Sequence, residues 1–397
     1  MMIGGPIFGY LGDRYNRKIT LMIASTIWIS MTIIASFIQK TFQLFFFFRG
    51  LSGIGDSGYH AVAPAVIGDY YIGQQRYKML AIYYLALPFG AGLGYIIGAQ
   101  TAIYTSSWRW GLRIVPCLAI TALILHCFLE ECPRGESEGA AMTSTNWKED
   151  LSYMVKIKTY ILSVVSFTCL TFVGSASVYW APKVLCLGLK LQDKDYAEGE
   201  YNEETSSLLF LGIIVISSGI IGVYIGYLLS SFFNVKYPKA DPLICGIGML
   251  TAAPLVILSF IIAMYNTWAS YFIGFLGFTA INLQPAVVSG ILMSVIVPSR
   301  RSMATGVFSF VCHLFGDAMS PYMFGLWTYY FKKLLDPEDI PPTRIIQYKA
   351  FLCAVYVTSV IDVIGGITYL IAACFVEKDR LKQKQAVLES RRPVTTL

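Results

Sequence analysis

Few ionisable side chains lie inside the long apolar runs of this sequence, and those few carry its chemistry. His313 and Asp317 are spaced i, i+4 in the apolar segment 303–330, so a helix stacks them on one face. An imidazole beside a carboxylate is a natural proton carrier. The same pair also serves as a hydrogen-bonded bolt between helices. Position 313 lies about 15 Å along the helix from residue 303, near mid-membrane at about 1.5 Å per residue. Two ligands do not close a metal site, so neither a metal nor any other cofactor is expected. Arg49 and Asp56, in the segment 43–67, are two helical turns apart and share a face. A charge within a span costs about 2.5–3.5 kcal/mol on insertion scales, so it normally faces a cavity or a partner. The Arg49 guanidinium is a forked donor suited to phosphate or carboxylate, or it snorkels to the outer interface. Asp56 binds a proton or pairs with Arg49. His60, one turn beyond, joins a proton relay or packs against a backbone carbonyl.

The elements that must hold these residues follow from composition. The chain has 397 residues, 56% hydrophobic, 15% aromatic and 14% charged, with a mean hydropathy of +0.60. Soluble domains carry about 25% charged residues. Disordered chains, coiled coils and most soluble enzymes are thereby excluded, and a polytopic membrane protein is indicated. Ten segments reach the span length of about 20 apolar residues: 19–39, 43–67, 78–104, 110–130, 158–185, 206–232, 243–265, 268–297, 303–330 and 348–376. Residues 1–9 read as the end of a helix whose beginning is missing. The net charge of +6 does not indicate nucleic acid. It reflects basic loops at 12–18, 73–78, 234–241 and 298–301 and a basic tail after 376, all on one side if the spans alternate. That side is the cytoplasm by the positive-inside rule. The opposite stretch 190–204 is acidic. The nine Cys contain no CxxC, and most sit in apolar runs as small packing residues. No phosphate-binding loop, zinc motif or nucleophile elbow is present, so the chain reads as non-enzymatic.

The spans divide into an N-terminal half (1–130), a cytoplasmic linker (131–156), a C-terminal half (157–376) and a cytoplasmic tail (377–397). The halves echo each other weakly. Gly5-Pro-Ile-Phe-Gly9-Tyr-Leu recurs as Gly222-Val-Tyr-Ile-Gly226-Tyr-Leu, and the basic loop 73–78 recurs as 298–301. Repeated helical halves suggest alternating access. A GxxxGxxxG stripe, Gly90, Gly94 and Gly98, follows Pro88 and is expected to let a helix approach closely. Ser320-Pro321 marks a kink. Lys183 reads as an interfacial anchor, Phe45–Phe48 as an interfacial or lipid-facing cluster, and Asp362 as a cavity residue or a local substitution.

The stretch Gly9-Tyr-Leu-Gly-Asp13-Arg14-Tyr-Asn16-Arg17-Lys18 resembles the signature loop between the second and third helices of major facilitator superfamily transporters. Its Tyr-Asn is similar to the Spinster branch. Arg49-Gly-Leu-Ser-Gly53-Ile-Gly55-Asp56, Trp108-Arg-Trp-Gly-Leu-Arg113, Lys239-Ala-Asp241-Pro242-Leu and His313-Leu-Phe-Gly316-Asp317-Ala-Met-Ser320-Pro321 resemble Spinster stretches in the same order. The family usually has Glu where Asp56 stands. The resemblance implies an all-α major facilitator fold of two six-helix pseudo-repeats, with the first helix and part of the second missing, a truncation of the chain. It also implies a gate in the loop 9–18. Asp13 would cap or pair with the end of a neighbouring helix, and Arg14 would pair with an acid across the bundle. Arg17 and Lys18 serve the gate or anchor the cytoplasmic face. Neutralising Asp13 is expected to cut transport while leaving insertion intact.

The implied function is alternating-access transport of a lysophospholipid or sphingoid lipid such as sphingosine phosphate, coupled to protons. The partners are then a lipid-like substrate, protons and the bilayer. The implied location is late endosome, lysosome or plasma membrane. The competing readings are a major facilitator for another organic anion or sugar, and a non-transporting receptor or pseudo-transporter. A membrane-embedded acyltransferase fits less well, because it leaves the loop 9–18 without a role.

Overall fold

The computed structural model describes residues 3–38, 40–128, 146–192, 201–234, 236–336 and 344–390. The described residues are helical throughout, without strands. The chain opens on α1 (Gly4–Arg14), whose last turn carries the loop motif, and turns at Asn16 into α2 (Arg17–Phe37). Asn16 starts that helix: its side chain accepts from the Ile19 N–H at 3.0 Å, satisfying one of the free amides of the first turn. Three further helices complete the N-terminal half: α3 (Phe42–Tyr70), α4 (Gly73–Thr105) and α5 (Arg109–His126).

The linker was read as a cytoplasmic stretch from 131 to 156. Its first part lies outside the described residues. Its end is a short amphipathic helix, α6 (Trp147–Lys156), with Asp150 and Met154 turned inward. The C-terminal half holds α7 (Lys158–Gln192), α8 (Tyr201–Phe233) and α9 (Ala240–Ile262). The span expected at 268–297 is broken at Asn282–Leu283 into α10 (Thr267–Ile281) and α11 (Gln284–Val295). The span expected at 303–330 is also interrupted. It runs as α12 (Arg301–Val311), a wide π turn over Cys312–Ala318, and α13 (Ser320–Leu335). The irregularity therefore starts ahead of Ser320-Pro321, and Pro321 lies in the first turn of α13, where its missing N–H costs nothing. α14 (Arg344–Ala372) is the last span. The basic composition of 377–397 suggests a simple cytoplasmic tail. Up to Ser390 it is instead a docked helix, α15 (Val376–Ser390), and Arg391 and Arg392 lie outside the described residues.

Ten helical passages therefore cross the molecule among the described residues. Eight are long and apolar enough to span a bilayer on their own. The other two are α3, diluted by Arg49, Asp56 and His60, and the interrupted α12–α13. The largest apolar core lies in the C-terminal half, around Met249, Val287, Ile291 and Tyr348.

The two halves meet along α1 with α12 and α4 with α8, and glycines set both approaches. A Cβ on Gly5 would stand 2.8 Å from the Gly306 carbonyl oxygen, and one on Gly9 would stand 2.5 Å from that of Ser302. The echoed Gly222 and Gly226 press on Thr279 and Leu283 of the α10–α11 break. The stripe Gly90, Gly94 and Gly98 does not do this work. A Cβ on any of the three would meet nothing, although the Cα of Gly98 is approached by Gly111. The close face of α4 is one register away. Gly92 packs against Ile216, and Pro88 sits over Gly219 of α8. Glycine spacing gives a face; it does not say which face has a neighbour.

Substituting Gly5→Leu drives a side chain into the Gly306 backbone. The expected loss is about 1–3 kcal/mol, the range for overpacking a fitted contact. It is read as a lowered thermal midpoint in detergent against Gly50→Ala, whose Cβ has open space. Equal midpoints would remove this contact from the stability of the closed interface.

Candidate functional site

Two groups of polar residues join the halves. The first lies on the face that carries the basic loops. Asp13 is fully buried at the end of α1. Its two carboxylate oxygens accept from the backbone N–H groups of Ser302 at 3.0 Å and Met303 at 2.7 Å. These are free amides at the start of α12, whose own sequence supplies no cap. The carboxylate thus caps a helix of the other half and faces the positive end of its dipole. Arg17 lies beside it, 3.3 Å from Asp13, and also pairs with Asp69 at the end of α3. Asp69 in turn meets Arg301 at 3.4 Å. Arg301 is fully buried and donates to the Met293 carbonyl at 2.8 Å. The Gly68 carbonyl accepts from Arg76 at 2.8 Å and from Arg301 at 3.3 Å, one guanidinium from each half.

Arg14 was expected to meet an acid across the bundle. Its partner is Asp150 of the linker helix, at 3.0 Å, with the guanidinium stacked on Tyr10. Asp150 also takes Arg300 at 3.0 Å, so the linker carboxylate bridges the halves that Arg14 does not bridge directly. Lys18 donates to the Cys127 carbonyl at 2.7 Å at the end of α5 and has no contact with the network.

The counterpart of Asp13 in the second half is Asp241, fully buried at the start of α9. It accepts from Ser230 at 2.6 Å, Asn234 at 3.0 Å and the Tyr77 hydroxyl of α4 at 2.7 Å. Arg380 of the tail helix pairs with it at 2.5 Å and donates to Ser294 at 3.0 Å and Pro238 at 2.7 Å. Burial alone would lower the Arg380 guanidinium; the Asp241 charge and the hydrogen bonds to Tyr77 and Asp241 outweigh it and hold it above its ordinary value. The next tail residue back, Asp379, accepts from the Thr159 N–H at 3.0 Å and its hydroxyl at 2.7 Å at the start of α7.

The second group faces the space between the halves. Asp56 and His60 on α3 meet His313 and Asp317 of the π turn, with the two imidazole rings 6.2 Å apart and edge to face. Asp56 lies 4.0 Å from His60 Nε2. His313 Nδ1 bonds Asp317, whose other oxygen takes the Ser175 hydroxyl of α7. These four side chains are 24–37% exposed, so they border open space rather than packed core. The π turn has its own support. Thr171 donates to the Cys312 carbonyl at 3.3 Å, and Thr168 to the Cys312 thiol at 3.5 Å. Inserted π turns recur where a side chain must be re-aimed at a functional site. Arg49 does not join this group: its side chain is exposed near the outer end of α3, and Asp56 is drawn to His60 instead.

Sequence reasoning found the four cleft residues and Asp13. It gave Arg17 to the gate or to anchoring, took Arg76, Arg300 and Arg301 as basic loop residues, and gave no role to Asp69, Asp150, Tyr77 or Arg380. The available signal was Asp69, an acid at a span end opposite a basic loop.

Asp13→Asn and Arg380→Gln each remove a charge-assisted contact worth about 1.5–3 kcal/mol. At about 1.4 kcal/mol per tenfold, the ratio of molecules closed to molecules open at this face falls by roughly 10- to 100-fold. Spin labels at Gln75 and Lys239 report this as a longer distance between the halves, with insertion unchanged. An unaltered distance distribution would deny these residues a part in closure.

A family description, Major Facilitator Superfamily, matches residues 1–321. Protein spinster of Drosophila melanogaster is 35% identical over 424 aligned residues, covering 96% of this chain and 69% of that protein. Protein spinster homolog 1 of Xenopus laevis is 37% identical over 387, covering 96% and 72%. Among solved structures, a bacterial homolog of the human lysosomal transporter Spinster, inward-facing and unoccupied, superposes with a TM-score of 0.57 at 18% identity. It covers 100% of this chain and 88% of that one. A double-Trp mutant of XylE superposes at 0.67 and 14% identity, covering 96% and 86%. The fold, the loop at Asp13 and the relatives agree: this is a multi-pass membrane protein of the non-enzymatic transporter class, and the chain belongs to the Spinster branch of the major facilitator superfamily.

Proposed function

We propose that this transporter moves a lysophospholipid or sphingoid lipid by alternating access, coupled to protons, in a late endosomal, lysosomal or plasma membrane. The observation that carries the coupling is the Asp56–His60–His313–Asp317 group, supplied half by each side of the interface and bordering the cleft. An imidazole held by a carboxylate is a natural proton carrier, and a shared proton alters the attraction between halves. The networks around Asp13 and Asp241 hold the cytoplasmic ends together, so the cleft opens to the opposite side. Breaking them exposes it to the cytoplasm.

The lipid cargo rests on the Spinster relationship and on the side chains at the outer end of α3. The exposed Phe42, Phe46 and Phe47 precede Arg49 on α3, and that guanidinium suits an anionic headgroup above an acyl chain.

Reconstituted protein is expected to accumulate labelled lysophosphatidylcholine or sphingosine phosphate when a pH gradient is imposed, and to leave xylose untouched. His313→Gln should lose the gradient-driven accumulation while exchange at equal pH persists. Uptake of xylose or a lipid-free organic anion instead would replace the lipid reading. Silence toward every cargo would favour a non-transporting receptor.

A further inference from the structure

Six aspartates are buried among the described residues: Asp13, Asp69, Asp150, Asp241, Asp362 and Asp379. Five are held by guanidinium groups, hydroxyls or backbone N–H groups, as described above. Asp362, within α14, is the exception. It is fully buried, and both of its carboxyl oxygens lack a hydrogen-bond partner. No described Lys, Arg or His pairs with it.

Its surroundings are soft and uncharged. One turn along, Gly365 packs against the side chains of Cys169 from α7 and Met249 from α9, and Gly366 packs against Leu250. The titratable groups facing it are few. The Cys169 thiol is its electrostatic neighbour on α7. Beyond it, two turns along α14, the Tyr369 hydroxyl is buried without a partner.

We propose that Asp362 is a proton-binding site of the C-terminal half, distinct from the His313–Asp317 pair. An uncompensated carboxylate in a dry interior costs several kcal/mol, and a bound proton removes the charge. The chemistry is one O–H bond formed at a carboxyl oxygen, with the proton drawn from the cleft. α7 separates the two sites and is polar toward both. Cys169 faces Asp362, Thr168 bonds Cys312, and Ser175 bonds Asp317. A proton at Asp362 lets α7 and α14 pack without charge, and its departure would leave a charge that the cytoplasm-closed packing cannot satisfy. The use of this proton in transport rests on the proposed coupling; its presence does not.

Infrared titration of the purified protein in lipid tests the site without any substrate. The expected result is a protonated-carboxyl stretch at neutral pH that disappears at alkaline pH, is missing in Asp362→Asn and survives in Asp317→Asn. If Asp362→Asn folds poorly, Asp362→Glu should keep a titrating band at a shifted frequency. A neutral-pH spectrum unchanged by either substitution overturns the site. So does a band that persists to the most alkaline sample, or one that responds to sodium instead of pH. The transport arm uses lysophosphatidylcholine in proteoliposomes: Asp362→Asn should lose pH-driven accumulation and keep exchange. A titrating Asp362 band in a protein that accumulates no lysolipid supports the site and overturns the transport reading.

Discussion

A carboxylate taken out of water must find a partner, and the partner of Asp13 lies in the other half of the molecule. Its two oxygens terminate α12 from across the interface. That single placement organises the surrounding network. Arg17 is fixed between Asp13 and Asp69, Asp69 holds Arg301, and Arg301 closes on the ends of α3 and α11. Moving α12 away would strand Asp13 and disturb the chain of pairs behind it. Truncating one partner of a buried pair costs about 3–5 kcal/mol, because the other charge stays buried. A partial separation therefore loses these contacts without gaining others. The glycines of α1 serve the same constraint, since the capping bonds form only if α1 and α12 come within backbone contact.

The second closure obeys the same rule with different parts. Asp241, at the start of α9, plays for the second half the part that Asp13 plays for the first, but across the interface it reaches a side-chain hydroxyl, Tyr77, rather than free amides. A neutral hydroxyl is a weaker partner for a carboxylate than a guanidinium. The missing charge comes from Arg380, outside the spans altogether. The C-terminal half therefore completes its closure with the tail helix, which Asp379 pins to the start of α7. The two pseudo-repeats are alike in geometry and unlike in what they need to stay shut.

Much of this was legible in the sequence, and the illegible part has a pattern. The apolar runs gave ten passages at nearly their observed positions, because span length is a property of local composition. The loop Gly9–Lys18 gave the capping carboxylate. The breaks at Asn282–Leu283 and Cys312–Ala318 were invisible, since both sit in apolar sequence and depend on packing. Gly222 and Gly226 press on the first break, and Thr168 and Thr171 support the second. The Gly90 stripe misled for the same reason: periodicity names a face, and only the partner helix decides whether it is used. The paired charges hid in loops because a basic loop reads as topology whether its guanidinium groups face lipid headgroups or a buried carboxylate.

The cleft group follows from these two limits. Asp56 and His60 were legible as charges on α3, and His313 and Asp317 as a pair on α12–α13, but nothing in the spacing joined them. The π turn does so, presenting His313 to His60 while Asp317 stays anchored on Ser175. Residues on the two spans least able to cross a bilayer by apolarity alone are thereby placed against each other, each answering part of the other's insertion cost. Because one pair comes from each half, separating the halves must change what those carboxylates and imidazoles can bind. In the proposed coupling, a proton taken up or released there is tied to the opening of the interface, without any further moving part.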